Sequence, residues 1–65
     1  MSTASALYEY AAQTDDELSF REGDEMLIFD KTEPDWWLVK ASGRVGLVPA
    51  TYLEEVRIIQ TMLSD

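Results

Sequence analysis

A formal net charge of −8, from 13 acidic and 5 basic side chains in 65 residues, repels nucleic acid and anionic lipid surfaces and speeds encounter with basic partners. The 46% hydrophobic content argues against disorder, and the length allows a single domain whose core supplies only about 3–5 kcal/mol net. With no cysteine, no apolar run approaching the roughly 20 residues that span a bilayer and no basic-then-apolar leader, a disulfide framework, a thiolate metal site and a membrane anchor are all unexpected, and a soluble cytoplasmic chain is the default.

In chain order, Met1 to Ser5 is small and polar and reads as a lead-in. Ala6 to Tyr10 is apolar or aromatic apart from Glu9 and predicts a strand, after which residues 11–17 lose the pattern and read as an exposed loop. Leu18 and Phe20 alternate with Ser19 and Arg21 as in a short half-buried strand, and Glu22-Gly23-Asp24 is a turn signal. Met26 to Phe29 predicts a strand that the charged, Pro34-containing stretch 30–35 ends. Residues 36–41 and 44–48 predict two strands, joined at Ser42-Gly43 by a two-residue hairpin turn. Pro49 stops the second of these because it has no N–H to donate; one helical turn follows at Ala50-Thr51-Tyr52, and Leu53 to Val56 offers a last strand. Beyond it, Val56, Ile59 and Leu63 fall at helical spacing, either as an amphipathic segment or as the start of a linker over residues 58–65.

Short strands with no long helix point to a small all-β barrel or sandwich. The inward positions are expected to be Ala6, Leu18, Phe20, Met26, Ile28, Val39, Val48 and Leu53. Trp36 and Trp37 are neighbours on a strand and so face opposite sides. Tyr8, Tyr10, Trp36, Pro49 and Tyr52 are more rings than so small a domain can hide, in a chain rich in carboxylates, and alternation alone leaves open which of the two tryptophans joins the others. Exposed rings beside carboxylates suit a proline-rich, basic peptide: a polyproline II ligand is already stiff, and a charge-assisted pair fixes its orientation. Taken alone, Asp15-Asp16-Glu17 is a solvated loop. It lacks the alternation and glycine of a calcium loop, and carboxylate catalysis needs an enclosed cleft that 65 residues do not offer. No catalytic residue, cofactor, metal or small-molecule substrate is expected.

These runs, in this order, resemble the Src homology 3 (SH3) domain. Ala6-Leu7-Tyr8-Glu9-Tyr10 is similar to the family's first-strand motif, Asp16-Glu17-Leu18-Ser19-Phe20 to the far limb of its acidic RT loop, and Glu22-Gly23-Asp24 to its diverging turn. Trp36-Trp37 resembles the start of the third strand, and Gly46-Leu47-Val48-Pro49 with Ala50-Thr51-Tyr52 the fourth strand and 3₁₀ turn. The resemblance implies a five-stranded barrel of two packed sheets over residues 6–57, with a shallow aromatic groove. Tyr8 and Tyr52 would bound one proline pocket, and Tyr10, Trp36, Pro49 and Tyr52 the second. Glu17 would pair with a ligand Arg or Lys, helped by Asp15 and Asp16, while Glu33 and Asp35 in the loop before Trp36 would extend that specificity pocket. Trp37 would pack on the outer sheet surface. Leu47 replaces a frequent aromatic and Thr51 a frequent Asn, which bears on peptide preference.

The expectation is therefore a monomeric, non-catalytic module binding PxxP segments with a flanking Arg or Lys. The stretch from Asp35 to Glu55 is also similar to domains of endocytic and actin-patch adaptors. Two alternatives are ubiquitin or another folded partner, against which Tyr52 counts because ubiquitin-binding members tend to carry Phe there, and an intramolecular segment bound for autoinhibition.

Overall fold

The computed structural model describes Ser2 to Val56. Five strands, β1 (Thr3–Ala6), β2 (Glu25–Asp30), β3 (Trp36–Ala41), β4 (Arg44–Pro49) and β5 (Leu53–Val56), run antiparallel, with one 3₁₀ turn, Ala50–Tyr52, between β4 and β5. Their hydrogen bonds make one continuous sheet in the order β4-β3-β2-β1-β5. The all-β barrel expected from the sequence is thus built from one ladder, in which β2 serves both halves. The register of β2 on β3 shifts between Ile28 and Asp30, and such a bulge bends its strand and sharpens the twist.

The first strand lies closer to the N-terminus than its apolar run suggests. Thr3 pairs with both Leu27 and Val56, while Tyr8 and Tyr10 follow the strand rather than occupy it. Small Ala4 and Ala6 point inward from β1 and are buried, so residues that read as a polar lead-in supply a central strand. The turn between β3 and β4 is the tight hairpin expected at Ser42-Gly43, with both residues at positive φ (53° and 78°).

Alternation on these strands, with Leu18 and Phe20 from the segment between β1 and β2, gathers one core among the described residues: Ala4, Ala6, Leu18, Phe20, Met26, Val39, Val48 and Leu53. Two assignments from the sequence change. Ile28 is only half-buried and packs against the core from the side, at the edge of the bulge. Trp37, expected on the outer surface, instead packs partly buried against the core. It shares a strand face with Val39, and the Lys31 ammonium lies 5.9 Å from its ring centroid while forming a bidentate ion pair with Glu55 (2.8 and 2.7 Å). The helical spacing noted beyond Val56 lies outside the described residues.

Candidate functional site

Between β1 and β2 the chain makes an excursion over residues 7–24, long enough to be functional in so small a domain. Its two limbs pair where Tyr10 and Phe20 exchange both backbone hydrogen bonds (2.9 and 3.0 Å). The returning limb then docks beside β4: the Leu18 N–H donates to the Leu47 carbonyl (3.0 Å) and the Leu47 N–H to the Asp16 carbonyl (2.8 Å). That bridge covers part of an edge strand which would otherwise expose unpaired groups. It also requires Gly46, where a Cβ would stand 2.8 Å from Leu18 Cγ and 2.9 Å from the Asp16 carbonyl oxygen.

With the loop pinned this way, four rings form a line. Tyr8 meets Tyr52 at 5.7 Å between centroids, Tyr52 meets Tyr10 at 5.3 Å, and Tyr10 meets Trp36 at 6.4 Å, all near edge-to-face. Tyr8 and Tyr10 come from the outgoing limb of the loop, Tyr52 from the 3₁₀ turn and Trp36 from the start of β3. The Leu7 N–H donates to the Tyr52 carbonyl (2.7 Å), tying Tyr8 to the 3₁₀ turn, and the Ala50 N–H donates to the Asp35 carbonyl (2.9 Å), tying that turn to the start of β3. Buried Phe20 backs the line, stacked on Tyr10 at 5.7 Å and 6.5 Å from Tyr52. Tyr8 is 59% exposed and Trp36 36%, so the rings present a ridged, open surface. Pro49 lies opposite Trp36 in the β3–β4 ladder and is buried, supporting the surface from beneath more than facing solvent.

The five aromatic and proline positions singled out in the sequence therefore do come together. The carboxylates divide into two sets. Asp15, Asp16, Glu33 and Asp35 are exposed, on the two loops nearest the ring line, and their side chains have no hydrogen-bond or ion-pair partner among the described residues. Glu17 is different: it is half-buried, and its Oε1 accepts from Tyr10 Oη (2.6 Å) and from the Gln13 N–H (2.9 Å). The hydrogen bonds from Tyr10 and then Gln13 hold its carboxyl below the ordinary carboxylate value. The same contact, aided by partial burial, pushes the Tyr10 phenol up to about 12. Tyr10 is thus committed to Glu17, which leaves the Tyr8 and Tyr52 hydroxyls and the Trp36 indole N–H as ring donors without a partner among the described residues.

Sequence reasoning did not find the Tyr10–Glu17 bond, the closure over Gly46, or a polar cleft of about 470 Å³ behind the loop, walled by residues 12–15 and 17–20, by Asp24, and by Ala41, Ser42 and Arg44. Only Gly46 left a trace, since a glycine inside a strand marks close backbone approach. Leu47 and Thr51 stand beside the rings rather than in them: Leu47 bridges backbone to backbone with Glu17, and Thr51 is exposed in the 3₁₀ turn. Among the described residues no group of carboxylates lies close enough together to hold a metal ion, and no helix is long and apolar enough to cross a membrane.

Comparison with known proteins gives this arrangement a context. The family model of the variant SH3 domain matches residues 6–54. The actin cytoskeleton-regulatory complex protein sla1 of Sclerotinia sclerotiorum is 53% identical over 51 residues, which are 78% of this chain and 4% of that protein, so the chain spans a small fraction of that relative. The C-terminal SH3 domain of myosin IB from Entamoeba histolytica, solved with a bound peptide, superposes with a TM-score of 0.83 at 38% identity, covering 89% of this chain and 86% of that one. The Acanthamoeba myosin I SH3 domain bound to Acan125 gives 0.79 at 42% identity, covering 83% and 93%.

Proposed function

The chain belongs to the SH3 domain family, whose members are interaction modules, and from that premise we propose that its ring line binds proline-rich segments carrying a flanking Arg or Lys. The observation that carries this reading is the continuous Tyr8–Tyr52–Tyr10–Trp36 line with unpartnered carboxylates on the loops at its side. A polyproline II ligand has three residues per turn, so alternate ring gaps take successive proline pairs. Its unpaired carbonyls accept from the Tyr8 and Tyr52 hydroxyls and the Trp36 indole. The exposed Asp15, Asp16, Glu33 and Asp35 favour a cationic flank and fix the direction of the peptide. Related domains solved bound to a peptide and to Acan125 support peptide recognition by this fold.

In this reading the role is non-catalytic, as for the interaction modules of this family, and needs no cofactor. The domain acts as a monomer. Its likeness to an actin cytoskeleton-regulatory protein supports a place in a cytoplasmic adaptor of the cortical actin or endocytic machinery. So small a contact gives micromolar or weaker affinity, about −8 kcal/mol at best. Trp36→Ala removes one wall of the groove at an exposed position; it is expected to weaken binding of a basic PxxP peptide by about tenfold or more while the fold persists. Isothermal titration beside a circular-dichroism melt checks this, and undiminished affinity would contradict it.

A further inference from the structure

Lys31 is the one cation in the loop that joins β2 to β3, and it shares that loop with Glu33 and Asp35. Glu33 stands two residues away, at most about 7 Å between Cα atoms, within the combined reach of the two side chains. A pair between them would be the local outcome, and it would cancel one of the charges that the loop offers to a ligand. Lys31 does something else. Its ammonium donates to both oxygens of Glu55 on β5 (2.8 and 2.7 Å), 24 positions along the chain, and lies over the Trp37 ring at 5.9 Å from the centroid. Glu33 and Asp35 are left exposed, with no side-chain partner among the described residues.

Several features hold the ammonium there. The Glu55 side chain is only 20% exposed, so water screens this pair less than an open surface pair. The face of Trp37 adds a cation–π attraction. The backbone is turned at this point by Asp30, whose Oδ1 accepts from the Thr32 N–H (2.8 Å) and the Thr32 hydroxyl (2.6 Å), with Lys31 as the central residue of the turn. Trp37 points away from Trp36 across the strand. The ammonium is thereby drawn off the side of β3 that carries the ring line.

We propose that Glu55 is a positioning residue for ligand choice: by holding Lys31 on the far side of β3, it keeps Glu33 and Asp35 uncompensated for a cationic ligand. This rests on the peptide-binding reading above and adds a determinant that lies outside the ring line. Its signature differs from that of a structural clamp. Loss of a clamp weakens every ligand of the ring line, charged or not. Release of Lys31 weakens only the charged one, and removing Lys31 as well restores it.

The test uses two peptides with the same PxxP core, one with a flanking Arg and one with Ala in its place. They are titrated against wild type, Glu55→Gln, Lys31→Met and the variant carrying both changes. Met keeps an unbranched apolar stem without the charge. In Glu55→Gln the freed ammonium is expected to turn to Glu33, weakening the Arg peptide about two- to threefold and leaving the Ala peptide unchanged. Lys31→Met alone is expected to bind the Arg peptide at least as well as wild type, and the double variant to recover wild-type affinity. Equal loss of both peptides in Glu55→Gln would make the pair a structural clamp and overturn the proposal. So would a Glu55→Gln protein that binds the Arg peptide as wild type does, or a double variant still as weak as Glu55→Gln. A second measurement needs no variant to fold. The Trp37 ring current is expected to shift the Lys31 ε-methylene protons upfield in the wild-type NMR spectrum, and free-lysine shifts there would also overturn the proposal. A wild type that binds neither peptide, or binds the two equally, would overturn the functional reading and the proposal with it; the upfield shift would persist, which tells the two failures apart.

Discussion

Tyr10 and Glu17 share one hydrogen bond, and it is felt at both ends of the pH scale. The bond to Glu17 raises the Tyr10 phenol from 10.0 to about 12, so the folded state holds that proton more tightly than the unfolded chain does. The stability this gives is complete below pH 10 and is lost as the pH rises through about 12. Glu17 shifts the other way, held low first by Tyr10 and then by the Gln13 N–H, and Asp30 is held low by the Thr32 hydroxyl and N–H. Their contributions are present above the ordinary carboxylate range and fade as the pH falls through the lowered folded values. A tyrosinate absorbance titration should show one step near pH 12 that Tyr10→Phe deletes; the absence of such a step in the wild type would contradict the bond. The sequence showed Tyr10 as a ring and Glu17 as a charge but not that they meet, because the partner across a loop of irregular backbone follows no period.

At the scale of elements, the long loop is held by the edge of β4, and Gly46 is the point of closest approach. A methyl group there meets Leu18 Cγ at 2.8 Å and the Asp16 carbonyl oxygen at 2.9 Å, and a backbone oxygen cannot swing aside as a side-chain end can. Gly46→Ala is expected to cost about 1–3 kcal/mol and, by moving the limb that carries Asp16 and Glu17, to weaken peptide binding as well. Chemical denaturation beside a peptide titration checks both, and a variant unchanged in either would show that the limb does not lie against β4. Strand positions were legible wherever apolar residues alternate, as in β3 and β4, and so was the Ser42-Gly43 turn. They were misread where the chain departs from alternation. Thr3–Ala6 is a central strand made of small residues, buried by its two neighbours rather than by its own hydrophobicity, while the apolar run at residues 6–10 spends its rings on the surface of the site.

At the largest scale, a core of eight buried side chains among the described residues carries a domain whose stability is only about 3–5 kcal/mol. Val48 is fully enclosed, and Val48→Ala is expected to cost about 2–3 kcal/mol through lost burial and an unfilled space. A thermal melt should then approach room temperature, and one unchanged from wild type would contradict the register of β3 on β4. Seven of the eight core residues were legible from alternation; Ala4 was not, since an alanine in a polar run carries no signal, and Ile28 was displaced to half-burial beside a bulge that the sequence does not mark. The same small core explains the site. With so little interior, Tyr8, Tyr10, Trp36 and Tyr52 cannot all be enclosed, and the fold lines them up at its surface instead. The proposed peptide-binding role rests on that exposure together with the carboxylates on the adjoining loops.

The central claim is that the ring line is the binding surface for a basic proline-rich segment, and backbone-amide NMR tests it most directly. The ¹⁵N-labelled domain is titrated with a PxxP peptide flanked by Arg, then separately with ubiquitin. The account predicts that the peptide shifts the amides of Tyr8, Tyr10, Asp16, Trp36 and Tyr52 in one saturable set and leaves those around Val39 and Ala4 in place. Shifts produced by ubiquitin alone, or by the peptide on the opposite face of the sheet, would contradict it.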